Sequence, residues 1–129
     1  MYDIRDEGQR SLAEMLSKSD LVLDAIFGYS YTGELRKPYD LVLEELRKVE
    51  SKVLSVDMPS GWEAEAGNKY GLFSPMANIS MMLPKEGMKS YKGRHFIGGR
   101  FLPAKIAKEF GIEDPADFPG DSLFYELNK

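Results

Sequence analysis

The fold is decided by the stretch Leu21-Val22-Leu23-Asp24-Ala25-Ile26-Phe27-Gly28. It is an almost continuous apolar run closed by glycine, which is typical of a strand buried on both faces of a parallel sheet. A short segment before it, residues 11–17, has its apolar residues at helical spacing. A buried strand next to a helical segment favours an α/β architecture.

Helix and strand patterns alternate along the rest of the chain. Pro38 opens a strong helix, since proline in a first helical turn loses no needed hydrogen bond. The predicted inward residues of this helix are Leu41, Val42, Leu46 and Val49, and the predicted outward residues are Glu44, Glu45, Arg47 and Lys48. Further strands are predicted at residues 52–58, 77–83, 96–102 and, as an edge strand, 122–127. A short helix is predicted within residues 84–94, and another at residues 103–110 with Ile106, Ala107 and Phe110 inward. This alternation predicts a mostly parallel sheet covered on both faces, in one domain of residues 1–129.

Composition excludes several functional classes. The 129 residues are 43% hydrophobic and 29% charged, with a net charge of −4, no cysteine and one histidine. Disulfide scaffolds, cysteine nucleophiles and thiolate metal sites are therefore excluded, and the acidic balance makes a nucleic-acid partner unlikely. No apolar run reaches the ~18 to 20 residues of a membrane helix, so we expect a soluble, intracellular protein without a membrane partner.

Polar residues stand where two predicted strands end. In parallel sheets ligands bind beyond the carboxyl ends of the strands. Asp24 lies inside the first apolar run, and its carboxylate either caps a neighbouring helix, meets a buried lysine, or binds a hard cation through oxygen. Asp57 either braces the loop after its strand or acts as a ligand-binding or acid–base group. Ser60 either belongs to a plain Pro-Ser-Gly turn or points into the same crevice.

The loop after the first strand and a later basic cluster are weaker candidates. Gly28 and Gly33 flank two tyrosines, and glycine lets backbone amides approach a ligand. The basic residues could meet phosphate, although a solvated face is the favoured interpretation. The basic residues concerned are Lys85, Lys89, Lys92 and Arg94. For His95 and Trp62, packing is the favoured role.

Several blocks in the right order resemble the YjeF amino-terminal domain family of NAD(P)HX epimerases. They are Asp24-Ala25-Ile26-Phe27-Gly28-Tyr29-Ser30-Tyr31-Thr32-Gly33, Arg36-Lys37-Pro38-Tyr39, Ser55-Val56-Asp57-Met58-Pro59-Ser60-Gly61-Trp62, Pro84-Lys85, Tyr91-Lys92-Gly93-Arg94 and Gly98-Gly99-Arg100-Phe101-Leu102-Pro103. The likeness extends from about Leu21 to Leu127.

The resemblance implies a fold, a reaction and a set of site residues. The fold is a Rossmann-like three-layer α/β/α domain, and the reaction interconverts the R and S forms of hydrated NADH or NADPH for metabolite repair. Asp24 and Ser60 match potassium-binding positions. Asp57 and the loop of Gly28, Tyr29, Ser30, Tyr31, Thr32, Gly33 and Glu34 match positions that bind NADHX or NADPHX. We further hypothesise that Asp57 is the catalytic acid–base group. Family members are often dimers, and the compartment is expected to be cytoplasmic or mitochondrial.

One departure from the family concerns residues 1–20, which do not resemble its Asn-Gly-Gly-rich, phosphate-cradling loop. We therefore expect a sheet lacking its first strands, an exposed apolar edge, and activity that requires an amino-terminal half. A fragment or truncation is the favoured interpretation over a short paralogue, with the missing half as a noncovalent partner. The alternative function is a non-catalytic scaffold of the same fold that binds RNA or protein.

Overall fold

The computed structural model describes residues 8–99, 101–112, 118 and 120–127. The helices are α1 (Gly8–Lys18), α2 (Tyr39–Lys48) and α3 (Ala104–Glu109), with 3-10 turns at Glu50–Lys52 and Glu86–Ser90. The strands are β1 (Val22–Asp24), β2 (Val53–Val56), β3 (Ala77–Met81), β4 (Arg94–Gly98) and β5 (Phe124–Glu126). The predicted α/β class is confirmed.

The strands form one five-stranded sheet in the order β1-β2-β3-β4-β5. β1, β2, β3 and β4 are parallel to one another, and β5 pairs antiparallel with β4. The sheet is therefore mostly parallel, as predicted, and the carboxyl ends of β1 to β4 share one edge. The predicted edge strand near the end of the chain corresponds to β5.

A row of polar residues crosses the sheet at one register level. Asp24 on β1 faces Ser55, Ser55 faces Asn78, and Asn78 faces His95 on β4. All four are buried, with exposed fractions between 0 and 6%. Because register partners in parallel strands point to the same face, the sheet buries a polar line that needs internal hydrogen bonds.

Two apolar clusters hold the sheet. The first joins α1 and α2 to β2 through six buried residues: Leu16, Val42, Leu43, Leu46, Val53 and Phe73. The second packs the loop that follows β2 against the 3-10 turn at Glu86–Ser90 and the residue after it, and it comprises Met58, Trp62, Met88 and Tyr91. Burying a side chain of this size stabilises the fold by about 1.5–3 kcal/mol each. The second cluster thus anchors the loop that carries Asp57 and Ser60.

Three sequence predictions about burial are wrong. β1 is not buried on both faces, because Leu23 is 64% exposed at the edge of the described sheet. Ile106 and Phe110, predicted to point inward, are 42% and 70% exposed. Glu45, predicted on the outer face of α2, is buried, and its carboxylate accepts a hydrogen bond from Lys48. The exposed residues beside β1 agree with the predicted apolar edge.

The described helices are short or amphipathic, and none combines the length and apolarity needed to cross a bilayer.

Candidate functional site

The site is built on the two loops that leave β1 and β2 at the carboxyl edge of the sheet. Phe27 donates its backbone N–H to Ser60 Oγ at 2.9 Å. Tyr29 donates its backbone N–H to Asp57 Oδ2 at 2.8 Å. The first loop is therefore fastened to the second at two points, and the three polar residues predicted from the sequence lie in one region.

Asp24 is 1% exposed and is held by hydrogen bonds alone. Its Oδ1 accepts the Ser60 hydroxyl at 2.5 Å and the Ile26 N–H at 3.4 Å. Its Oδ2 accepts the Ser55 hydroxyl at 2.7 Å and the Ser60 N–H at 2.9 Å. A carboxylate offers about four lone-pair sites, so these donors fill its acceptor capacity. The helix cap and the buried lysine weighed from the sequence are not its partners.

Asp57 directly follows β2 and has φ of +72°, the left-handed region that non-glycine residues rarely adopt. Its carboxylate meets two donors, the Tyr29 N–H at Oδ2 and the Lys85 ammonium at Oδ1. A methyl group added at Gly28 would lie 2.9 Å from Asp57 Oδ2. A methyl group at position 28 would therefore push the Asp57 carboxylate away from the first loop.

The loop Gly28–Glu34 has a further anchor at its far end. Gly33 donates its N–H to Glu63 Oε1 at 3.2 Å, and Tyr31 donates its hydroxyl to the Gly33 carbonyl at 2.7 Å. Between these anchors Tyr29 is 64% exposed and Ser30 and Thr32 are exposed. The backbone of the loop is fixed while its middle faces solvent, which suits contact with a ligand.

A cleft of about 590 Å³ opens along this loop, and its lining includes Tyr31, Gly33, Glu34, Arg36 and Tyr39. Its floor is aromatic, because the Phe27 ring stacks on Tyr31 with centroids 5.0 Å apart and meets Tyr39 edge-on at 4.9 Å. Burial, and secondly the charges of Tyr70, Glu63 and Glu34, raise the pKa of Tyr31. Tyr31 is therefore a neutral hydrogen-bond donor at physiological pH.

The predicted basic cluster does not act as one group. Lys89 pairs with Glu86 and Arg94 with Glu126 on the surface. Lys85 instead turns inward to Asp57 and has only 15% of its side chain exposed. Trp62 and His95 are packed as predicted: Trp62 donates to the Phe73 carbonyl at 3.0 Å, and His95 contacts Ser80 at 2.8 Å.

Two residues of the site, Ser55 and Glu63, were not singled out from the sequence, and Lys85 was considered only as part of the basic cluster. Ser55 could have been found, because strand pairing places it directly beside Asp24. Glu63 carries no local signal, and the basic cluster gave no sign that Lys85 contacts Asp57, since each reaches the site from a separate loop. Across the described part of the chain, no group of three or more His, Cys, Asp or Glu side chains could hold a metal ion. A cation bound at this site would therefore need hydroxyl or carbonyl oxygens in addition to a carboxylate.

Comparisons with known proteins agree with one another. Residues 2–87 match the family described as YjeF-related protein N-terminus. NAD(P)H-hydrate epimerase of Paramecium tetraurelia is 46% identical over 113 residues, which are 88% of this chain and 48% of the relative. The Dictyostelium discoideum protein of the same name is 44% identical, over 83% of this chain and 46% of the relative.

A solved structure shares the fold. The crystal structure of the yeast protein YNL200c matches with a TM-score of 0.81 and 32% identity, covering 95% of this chain and 53% of that one. The chain thus spans about half the length of the relatives it matches.

Proposed function

We propose a function from the premise that this chain belongs to the YjeF-related protein N-terminus family. The protein is an NAD(P)H-hydrate epimerase, which interconverts the R and S forms of hydrated NADH or NADPH. Its relatives carry that enzyme name at 38–46% identity. The scaffold alternative is not favoured, because the relatives are named as enzymes. Activity is proposed for the full-length protein, since the matched stretch is about half of each relative.

One observation carries the proposal: a carboxylate on a strained backbone stands at the carboxyl edge of a parallel sheet, beside an open loop. Asp57 keeps φ at +72° because its N–H donates to the Ile79 carbonyl at 2.8 Å. Strained residues of this kind cost about 1–3 kcal/mol and cluster at active sites. The edge itself is where ligands of α/β sheets bind.

Asp57 serves as the acid–base group. In ring opening, it accepts the proton of the hydroxyl on the hydrated carbon while the bond from that carbon to the ring nitrogen breaks. The electron pair stays on nitrogen, and closure from the other side returns the proton. In water exchange, the same group in its protonated form would donate its proton to the hydroxyl, which leaves as water with the electrons of the C–O bond while the ring nitrogen stabilises the cation. A water molecule then adds to the other face of that carbon and returns a proton to Asp57. One carboxylate fits both routes, and a positioned acid–base group contributes about 10²–10⁴-fold in rate.

The loop Gly28–Glu34 binds the hydrated cofactor. Tyr29 donates its backbone N–H to the Asp57 carboxylate, and its side chain is exposed. The Tyr29 ring therefore offers a stacking surface to a ring of the cofactor. Arg36 lines the adjoining cleft and supplies a cation for a phosphate group. These placements support a nucleotide whose ring lies near Asp57.

Asp24 and Ser60 hold a potassium ion. The two groups are hydrogen-bonded to each other at 2.5 Å, and they offer oxygen with no nitrogen or sulfur, which is the donor chemistry of a hard cation. A bound cation would supply positive charge beneath the first loop. To become a ligand, Asp24 must release one of its four donors, and the Ser60 hydroxyl proton can turn away from it while Ser60 Oγ keeps the Phe27 N–H. A melting temperature raised by potassium but not by sodium would support this site, and loss of that difference in Asp24→Asn would assign it.

Replacing Asp57 with asparagine tests the proposed activity. The full-length Asp57→Asn protein should still bind NADP but lose about 10²-fold or more in the rate of epimerisation. The exposed Asp121→Asn variant is the matched control and should keep the wild-type rate. Unchanged turnover in Asp57→Asn would refute the acid–base role, and absence of epimerisation by the wild type would refute the enzyme.

A further inference from the structure

Lys85 stands apart from the other lysines with described ion pairs. Its side chain is 15% exposed, whereas those of Lys89, Lys18 and Lys48 are 75, 72 and 59% exposed. It lies just before the 3-10 turn at Glu86–Ser90, and its ammonium also donates to the Met81 carbonyl at 3.0 Å. Burying most of a rotamer-rich cation costs free energy unless a partner offsets it.

The partner that offsets this cost is Asp57, whose side chain is itself only 21% exposed. Surface ion pairs contribute little to stability, whereas removing one member of a largely buried pair is strongly destabilising because the other charge is left alone. Asp57 and Lys85 lie between these limits. Their mutual dependence is therefore stronger than that of the surface pair Lys89–Glu86.

The pair fixes the direction of the Asp57 carboxylate. Lys85 donates to Oδ1 and the Tyr29 N–H donates to Oδ2, so the carboxylate plane cannot rotate without breaking a contact. Each oxygen uses one of its two lone pairs in this way. One lone pair on each oxygen remains for a proton or a ligand hydroxyl.

We propose that Lys85 is a positioning residue that aims the Asp57 carboxylate at the reacting carbon. This inference rests on the proposed function, and it extends the site to the loop that follows β3. Lys85 acts on the rate through Asp57, with no contact of its own to the hydrated ring. Misplacement of a catalytic group by about 1 Å can cost 10²-fold in rate.

The test compares Lys85→Met, Lys85→Arg and the control Lys89→Met in the full-length protein. In Lys85→Met, kcat for epimerisation should fall about 10- to 100-fold while KM changes less than about 3-fold. Lys85→Arg should recover part of kcat, because arginine keeps the charge and a donor. Lys89→Met should match the wild type. Wild-type kcat in Lys85→Met would overturn the proposal, and so would a raised KM with kcat unchanged, which would make Lys85 a substrate ligand.

A double variant tests whether Lys85 acts through Asp57. Adding Lys85→Met to Asp57→Asn should cause no further loss of kcat, since the group to be aimed is already gone. Fully additive losses would overturn the positioning role.

A readout without turnover separates this inference from the proposed function. The Tyr29 amide proton bonds to the Asp57 carboxylate, so its NMR shift reports the position of that carboxylate. Lys85→Met should move this resonance as Asp57→Asn does, and Lys89→Met should leave it in place. An unmoved resonance in Lys85→Met would overturn the positioning role even in an inactive protein. A wild type without epimerisation but with the moved resonance would refute only the enzymatic proposal.

Discussion

Removing the hydroxyl of Ser60 should destabilise the fold more than any other single serine hydroxyl at this site. Ser60 Oγ donates to Asp24 Oδ1 at 2.5 Å and accepts the Phe27 N–H at 2.9 Å, and the residue is fully buried. A hydrogen bond to a charged group contributes about 1.5–3 kcal/mol and a neutral one about 0.5–1.5 kcal/mol. Ser60→Ala should therefore lower the free energy of unfolding by about 2–4.5 kcal/mol.

Ser55→Ala and Ser90→Ala set the scale for that loss. Ser55 is equally buried but has one such bond, to Asp24 Oδ2 at 2.7 Å, so its loss should be about 1.5–3 kcal/mol. Ser90 is exposed, and its substitution should change stability by less than about 0.5 kcal/mol.

Urea denaturation in sodium buffer measures these losses without a contribution from potassium. With a slope of about 2 kcal/mol/M, the midpoint of Ser60→Ala should lie about 1–2 M below that of the wild type. A midpoint equal to that of Ser90→Ala would refute the assignment of these hydrogen bonds.

Three further predictions concern the two loops and the last strand pair. Gly28→Ala should displace the Asp57 carboxylate, because the new methyl group would lie 2.9 Å from Oδ2; we expect kcat to fall about 10-fold with little change in melting temperature. The hydrogen bond from Arg94 lowers the pKa of Glu126, so the contribution of this pair to stability is present above the ordinary value of 4.5 and is lost as pH falls through the folded pKa. Amide exchange in β5 should accelerate in that acid window and should be insensitive to it in Glu126→Gln. Burial raises the pKa of Tyr31. The contribution of its neutral side chain to folding stability is therefore present below about pH 10 and is lost as pH rises through the folded pKa. Burial also raises the pKa of Tyr91, so tyrosinate absorbance should show late-titrating groups of which Tyr31→Phe removes one; an unchanged titration in that variant would contradict this assignment.

The sequence was sufficient to predict the meeting of Asp24, Asp57 and Ser60. Two apolar runs with a helix between them predict neighbouring parallel strands, and parallel strands end at the same edge. The observed pairing of β1 with β2 in parallel follows this expectation. Chain topology alone therefore brought the three polar groups into one region.

Burial was less predictable, because periodicity shows that a helix or strand has an apolar face but does not show what covers it. Ile106 and Phe110 lie on such a face of α3 and remain exposed among the described residues. The apolar run Leu21–Phe27 is similar: only Val22–Asp24 is strand. After that point the backbone N–H groups of Ile26 and Phe27 donate to the side chains of Asp24 and Ser60.

Lys85 shows why a local sequence pattern does not predict an ion pair between residues distant in the chain. In the sequence it is one of several basic residues near Arg94 and looks solvated like the others. Its ion pair spans 28 positions to Asp57 and depends on where β3 ends. The relevant information is the relative placement of two loops, which no local spacing encodes.

A continuous series of hydrogen bonds connects the proposed cation site to the proposed acid–base group. Asp24 binds Ser60, Ser60 binds Phe27, and two residues later Tyr29 binds Asp57. The chain from 24 to 29 and the turn from 57 to 60 thus close a ring of contacts around the strand ends. A change at Asp24 must therefore be carried to the Asp57 carboxylate, either through the first loop or through the turn. Because Lys85 holds the other oxygen of that carboxylate from outside the ring, it resists such displacement.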